Sequence, residues 1–207
     1  MSRVRVVSLV LVGVLGLGTL GAWSAVQPPA VPPAYDGPRP DPVADGYVSH
    51  TESVFVAVSP ARYRAWVGGR DLSDVVAPPE GGLAAVVATT PLRGDWDPAR
   101  DRSGDRRRVT FADGHHLAEE VLVDTPERFR YLIWGFTAPQ RFAVAHGTAE
   151  FTYTAAPGGM TLSWTYSFLP SNGLVAPFVR GFVADTIAPM MRGTLEGMRV
   201  GAERASI

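Results

Sequence analysis

The chain has 207 residues, a formal net charge of −1 and 46% hydrophobic residues, enough for one domain with a substantial core plus appendages. The near-neutral charge leaves no global basic field of the kind that marks nucleic-acid partners. Cysteine is absent and all 19 basic residues are arginine, which excludes thiol catalysis, disulfides, cysteine metal sites and a Schiff-base lysine.

At the N-terminus Arg3 and Arg5 precede an apolar run from Val6 to Val26, long enough for one membrane span. The basic flank predicts an orientation that leaves the rest of the chain outside the cytoplasm. Small residues at Ala22-Trp23-Ser24-Ala25 also suit cleavage, so residues 1–26 read as a membrane anchor or a signal peptide. The protein is then either a single-pass cell-membrane protein or a secreted one. Residues 27–46 carry Pro28-Pro29, Pro32-Pro33, Pro38, Pro40 and Pro42 and read as a semi-rigid, coreless proline-rich linker whose role is spacing.

The folded domain is expected over 47–207. A β-branched alternation over 47–58 predicts a strand. Ser59-Pro60 supplies an N-cap and an N1 proline for a short helix ended by Gly68-Gly69, and 71–76 forms a second helical turn before Pro78-Pro79. A strand is expected over 83–90. The segment 104–119 then reads as a hairpin around Ala112-Asp113-Gly114, where a glycine after a type I turn suits a three-residue loop. In that register Phe111 faces His115, Val109 faces Leu117 and Arg107 faces Glu119, which keeps one sheet face coherent. It also places an opposite-charge pair on that apolar face, costly unless matched or hydrated.

Further strands are expected over 127–137, 145–155 and 160–168. In the last, Met160, Leu162, Trp164, Tyr166 and Phe168 alternate with Thr161, Ser163, Thr165 and Ser167. The final segment, 174–204, has a broad apolar stripe that includes Phe182, Ile187, Met190 and Met198 and reads as one long helix, kinked near Asp185 by Pro189. The fold class is therefore α+β. A curved antiparallel sheet follows two short helices, and a long C-terminal helix covers its concave face. The N-terminal hydrophobic helix stays outside the domain.

This element order, with Trp96, Gly104, the arginine-rich hairpin strand, Asp113-Gly114 and Glu119, resembles the START-like or SRPBCC superfamily, most closely its polyketide cyclase/dehydrase and lipid-transport branch. The resemblance covers about 47–204. It implies a helix-grip fold in which seven strands wrap the C-terminal helix around an elongated cavity for a hydrophobic small molecule. Only some members of that superfamily are enzymes, and the apolar N-terminus and proline-rich segment depart from most of them.

Trp96, Trp134, Tyr153, Trp164, Tyr166, Phe168, Phe182 and Met190 are the candidate cavity residues, with Arg107 and Glu119 as a head-group site or a structural pair closing one end. Arg106 and Arg108 read as a solvated face, and His115 and His116 as surface residues on opposite strand faces. His146 is the best general-base candidate by residue type, without a partner that the sequence can place. No cofactor, metal or nucleic-acid partner is expected. The leading reading is a tethered or exported binder of a lipid or polyketide-like molecule. A cyclase, aromatase or dehydratase using the same cavity, and a structural domain with a filled core, are the alternatives.

Overall fold

The structure, a computed structural model, describes residues 26–76 and 83–206. The apolar N-terminal run lies outside the described residues except for Val26, as do Pro78-Pro79, Gly81-Gly82 and Ile207. Among the described residues no helix is long and apolar enough to cross a membrane.

The elements are β1 (Val48–Val56), α1 (Pro60–Gly68), α2 (Leu72–Val75), β2 (Val86–Arg93), β3 (Arg106–Phe111), β4 (His116–Asp124), β5 (Arg128–Trp134), β6 (Val144–Ala156), β7 (Gly159–Pro170), α3 (Ala176–Phe182) and α4 (Ala188–Arg204). The strands form one antiparallel sheet in the order β1-β7-β6-β5-β4-β3-β2. Consecutive hairpins account for β2 to β7, and β1 returns to pair with β7. Both ends of the order are therefore open edges. Pro91 is tolerated because β2 is an edge strand, where a missing N–H costs no central ladder bond.

Alternation sets the two faces. Met160, Leu162, Trp164 and Phe168 on β7 enter the concave core with Tyr131, Ile133, Phe151 and Tyr153. On the opposite face, Ser49, Thr51 and Ser53 hydrogen-bond Ser167, Thr165 and Ser163 at 2.8 Å each. Such cross-strand hydroxyl pairs fix the register of the β1–β7 edge. The hairpin register is as expected: Arg107 lies opposite Glu119 and Val109 opposite Leu117, and Phe111 N–H donates to the His115 carbonyl at 2.9 Å.

The Ser59 hydroxyl caps α1 through Arg62 N–H, and Tyr63 and Trp66 of that helix pack into the core beside Met198 and the other α4 residues. The C-terminal helix is irregular where Pro189 requires it. Val183–Ile187 is a π-helical turn between α3 and α4, because a proline cannot donate to the carbonyl four residues back and its ring crowds that carbonyl. Val183, Ile187, Met191, Leu195 and Met198 of this helical unit pack on the concave face.

Residues 27–46 are not a free spacer. They form a strap across the convex face of β3, β4 and β5. The Tyr35 hydroxyl donates to the Gly135 carbonyl at 2.7 Å. Arg106 donates to the carbonyls of Tyr35 and Gly37, and Arg108 to that of Pro33 at 3.1 Å. Arg39 pairs with Glu120 at 3.0 Å. Prolines leave carbonyls unclaimed by any local ladder, and the arginines of β3 take them. A second core follows, with Ala118, Leu132 and Trp134 buried beneath Tyr35.

This corrects three expectations. Arg106 is buried, not solvated, held by Glu120 at 2.8 Å, and Arg108 is half-covered by the strap. Trp134 faces the convex side, with the Arg106 guanidinium 5.0 Å from its ring. His115 and His116 are buried, their Nδ1 atoms 3.1 Å from the hydroxyls of Thr137 and Thr110 respectively.

Candidate functional site

Between the concave sheet face and the helices lie two adjoining voids of about 550 and 120 Å³. The larger is walled by α1 and α2, the Trp96 loop, and Phe129, Phe151 and Tyr153. The smaller is walled by Phe111, Phe168, Phe182, Ile187 and Met190. Tyr131 and Trp164 border both. The larger volume falls within the roughly 300–1,000 Å³ typical of small-molecule sites.

Arg70, Asp71 and Asp74 around α2, with Asp95 and Arg102, supply part of the polar lining, and the sheet adds the rest. Arg107 and Glu119 face each other across the β3–β4 ladder, with Nε to Oε2 at 2.7 Å, and both side chains are largely buried. The guanidinium also lies 3.9 Å from the Trp96 ring centroid. Trp96 reaches it because its loop is tightly pinned. Its own φ is +56° and that of Gly94 is +71°, and the buried Asp105 carboxylate accepts Trp96 N–H at 2.9 Å. A non-glycine residue held there carries on the order of 1–3 kcal/mol of strain, offset by this bond and by the Arg100–Asp105 ion pair at 2.8 Å. A side chain on Gly94 would overlap the Asp105 carboxylate, so the turn depends on glycine.

Three phenols add to this polar lining. Tyr131 hydrogen-bonds Tyr166, and burial pushes both above the ordinary phenol range, with the nearby Glu119 charge adding to it. Tyr153 is pushed up to about 12 by burial, against the opposing pull of Arg64 and Arg102. These phenols stay neutral and can donate a hydrogen bond at any physiological pH. Two further donors, the indole N–H groups of Trp96 and Trp164, are buried without a hydrogen-bond partner. A buried, unpaired donor costs about 1–3 kcal/mol, and both indoles belong to cavity-lining residues. The far wall is rigid. Asp124 is clamped by Arg64 at 2.6 Å and Arg102 at 2.7 Å, which ties α1 to the sheet. Burial would raise the Asp124 pKa, but those two guanidiniums outweigh it and hold the carboxyl low.

Of the residues expected from sequence, Trp96, Arg107, Tyr153 and Trp164 line the larger void, and Glu119, Tyr166, Phe168, Phe182 and Met190 the smaller. Trp134 does not join them. Phe129, Tyr131 and Phe151 belong to the wall and were not singled out. The strand alternation carried that signal: Phe129, Tyr131 and Ile133 share one face of β5, which sends Trp134 to the other. His146 also lies away from the cavity. It is buried at the start of β6, with Nε2 2.8 Å from the Tyr47 hydroxyl, and burial lowers its pKa. Among the described residues no cluster of histidine and carboxylate side chains suits a metal ion.

A seven-stranded open sheet gripping a long C-terminal helix around an aromatic-lined cavity defines a helix-grip domain for a hydrophobic ligand. The family described as polyketide cyclase/dehydrase and lipid transport matches residues 47–203, and the chain belongs to it. Among solved structures, the fold is similar to that of Ara h 8.0201 (16% identity, TM-score 0.53, covering 76% of this chain and 98% of that one). It is similar also to two di-domain ARO/CYC proteins. StfQ from the steffimycin biosynthetic pathway is 14% identical, with a TM-score of 0.55 and coverage of 78% and 52%. BexL from the BE-7585A biosynthetic pathway is 17% identical, with a TM-score of 0.56 and coverage of 76% and 50%. The chain thus spans about half the length of each di-domain protein. No curated protein matches the sequence.

Proposed function

We propose that this protein is a membrane-tethered or exported binder of a hydrophobic small molecule, lipid or polyketide-like, that carries at least one hydrogen-bond acceptor. The observation that supports this reading best is the pair of buried, unpartnered indole N–H groups of Trp96 and Trp164, residues of a void whose wall combines aromatic rings with Arg70, Asp71, Asp74, Asp95, Arg102 and Arg107. A ligand carbonyl, hydroxyl or carboxylate oxygen meets that need, with the one O–H that the Tyr131–Tyr166 bond leaves over as a further donor. Arg107 is already neutralised by Glu119, so the site suits a neutral or singly anionic polar group within a largely apolar molecule. Met190 and Met198 let the apolar wall adapt in shape. Tethering is supported by the basic-flanked apolar run of residues 6–26.

Native mass spectrometry of the chain from Val26 onward, purified from a heterologous host with the strap retained, tests the binding reading. The expected result is a stoichiometric apolar adduct released by organic extraction. A preparation free of adduct that also shows no thermal shift with fatty acids, phospholipids or aromatic polyketides sinks it. Cell fractionation of the full chain beside a variant lacking residues 1–25 tests the tether: only the full chain should sediment with membranes, uncleaved.

A further inference from the structure

The exposed apolar residues of the domain are not scattered evenly. Leu174, Phe178 and Phe142 are 88%, 75% and 56% exposed, more than a soluble surface asks of such large side chains. A continuous set of contacts places them at one end of the sheet, together with the point where the chain enters the fold. Pro28 packs 3.2 Å from where a Gly114 side chain would begin, in the β3–β4 turn. The next residue, His115, bonds the Thr137 hydroxyl at 3.1 Å, and His116 N–H donates to the same hydroxyl at 2.8 Å. Arg141 donates to the Thr137 carbonyl at 2.7 Å. Its neighbour Phe142 offers its carbonyl to the Ser171 hydroxyl at 3.2 Å, and Asn172 then caps Leu174 N–H at 3.0 Å. Phe178 follows in α3. The smaller void, with Phe111, Phe168 and Phe182 in its wall, lies at this same end.

From this arrangement we infer that the end of the domain carrying Phe142, Leu174 and Phe178 rests on the lipid bilayer, with these side chains at the headgroup–acyl boundary. The inference depends on the tether proposed above. Its geometric basis is the docked strap. A free proline-rich linker would hold the domain tens of ångströms from the membrane. Here the strap is spent on the convex face, and Pro28 lies close against Gly114. Between it and the last apolar residue, Val26, only about 7 Å of extended chain is available. A domain held that closely presents the end it enters by, and that end carries the large exposed apolar side chains. Arg141 and Arg180 at its margin suit anionic headgroups, and residues of this kind gain by burying apolar area while their cations stay at the interface.

Because the chain lacks cysteine, single-cysteine labelling gives a direct test. Full-length Leu174→Cys, Phe178→Cys and Phe55→Cys proteins are labelled with the polarity-sensitive dye NBD and reconstituted into phosphatidylcholine/phosphatidylglycerol vesicles. Phe55 is also exposed (48%) but sits at the opposite end of the sheet, opposite Thr161, and so controls for insertion driven by the dye. The expected result is blue-shifted emission at 174 and 178, at least twofold quenched by shallow doxyl-labelled lipid, with 55 remaining aqueous. Flotation of the vesicles reads the tether separately. If the protein floats and 174 and 178 behave like 55, bilayer contact is overturned and the tether stands. If the protein does not float, both fall.

Discussion

The Arg107 guanidinium is held between Glu119, at 2.7 Å, and the Trp96 ring, at 3.9 Å, on the cavity face of the sheet. Removing one partner leaves a buried charge unpaired, whereas removing both leaves an apolar wall. Glu119→Ala should therefore cost about 3–5 kcal/mol and Arg107→Met/Glu119→Leu far less. Urea unfolding of both variants checks this. Equal losses would mean that the pair is not coupled.

The strap depends on Tyr35 and Gly135. Gly135 has φ +67°, and a side chain there would lie 2.4 Å from the Tyr35 ring. Gly135→Ala should release the strap and expose Trp134, with a red shift in tryptophan emission and faster proteolysis between residues 27 and 46. Tyr35→Phe, which loses only the hydroxyl bond, should cost about 1 kcal/mol and leave the emission unchanged.

Acid sensitivity should come from two histidines first. Burial holds His146 below the ordinary histidine range. It does the same for His116, with Arg108 and His115 adding to it. A lowered pKa means that the unfolded chain takes up the proton first. Stability is then complete above about pH 6.5 and falls as pH drops below that value, by up to about 1.4 kcal/mol per unit for each histidine. Thermal melts between about pH 5 and pH 8 should show this slope, and His146→Gln should reduce it. A slope unchanged in that variant assigns the effect elsewhere. The Asp124 carboxyl, held low by Arg102 and Arg64, adds a separate loss only below about pH 4.

Thr89 lines the larger void from the edge strand β2. Thr89→Trp should fill that space and remove the co-purifying adduct while leaving the melting temperature within about 3 °C of the parent, the shift that about 1 kcal/mol gives a domain of this size. An adduct retained at full stoichiometry would place the ligand outside this void.

Much of the cavity was legible because strand alternation is a local property. Trp164, Tyr166 and Phe168 share a strand with the clearest period of two in the chain, and the hairpin register followed from one turn. The same rule applied to β5 excludes Trp134, since Phe129, Tyr131 and Ile133 already define its inward face. Trp134 was drawn in by residue type, and the strap is what gives an outward tryptophan a place to be buried. Arg106, His115 and His116 are buried against expectation for the same reason: their cover is supplied by other segments of the chain.

By itself the sequence determined the order of elements, the alternation of β7, the Arg107–Glu119 register and the irregular turn before Pro189. All of these rest on neighbours within a few residues, where periodicity, turn chemistry and the missing proline N–H act directly. Tertiary structure alone decided that residues 27–46 bind the convex face, and that Pro28 lies at the same end of the sheet as Phe142, Leu174 and Phe178. A proline-rich segment has no period to announce its partner, because its carbonyls wait for donors some seventy residues away. The cavity is likewise a tertiary result. It is the space that sheet curvature and the helices packed on it leave unfilled.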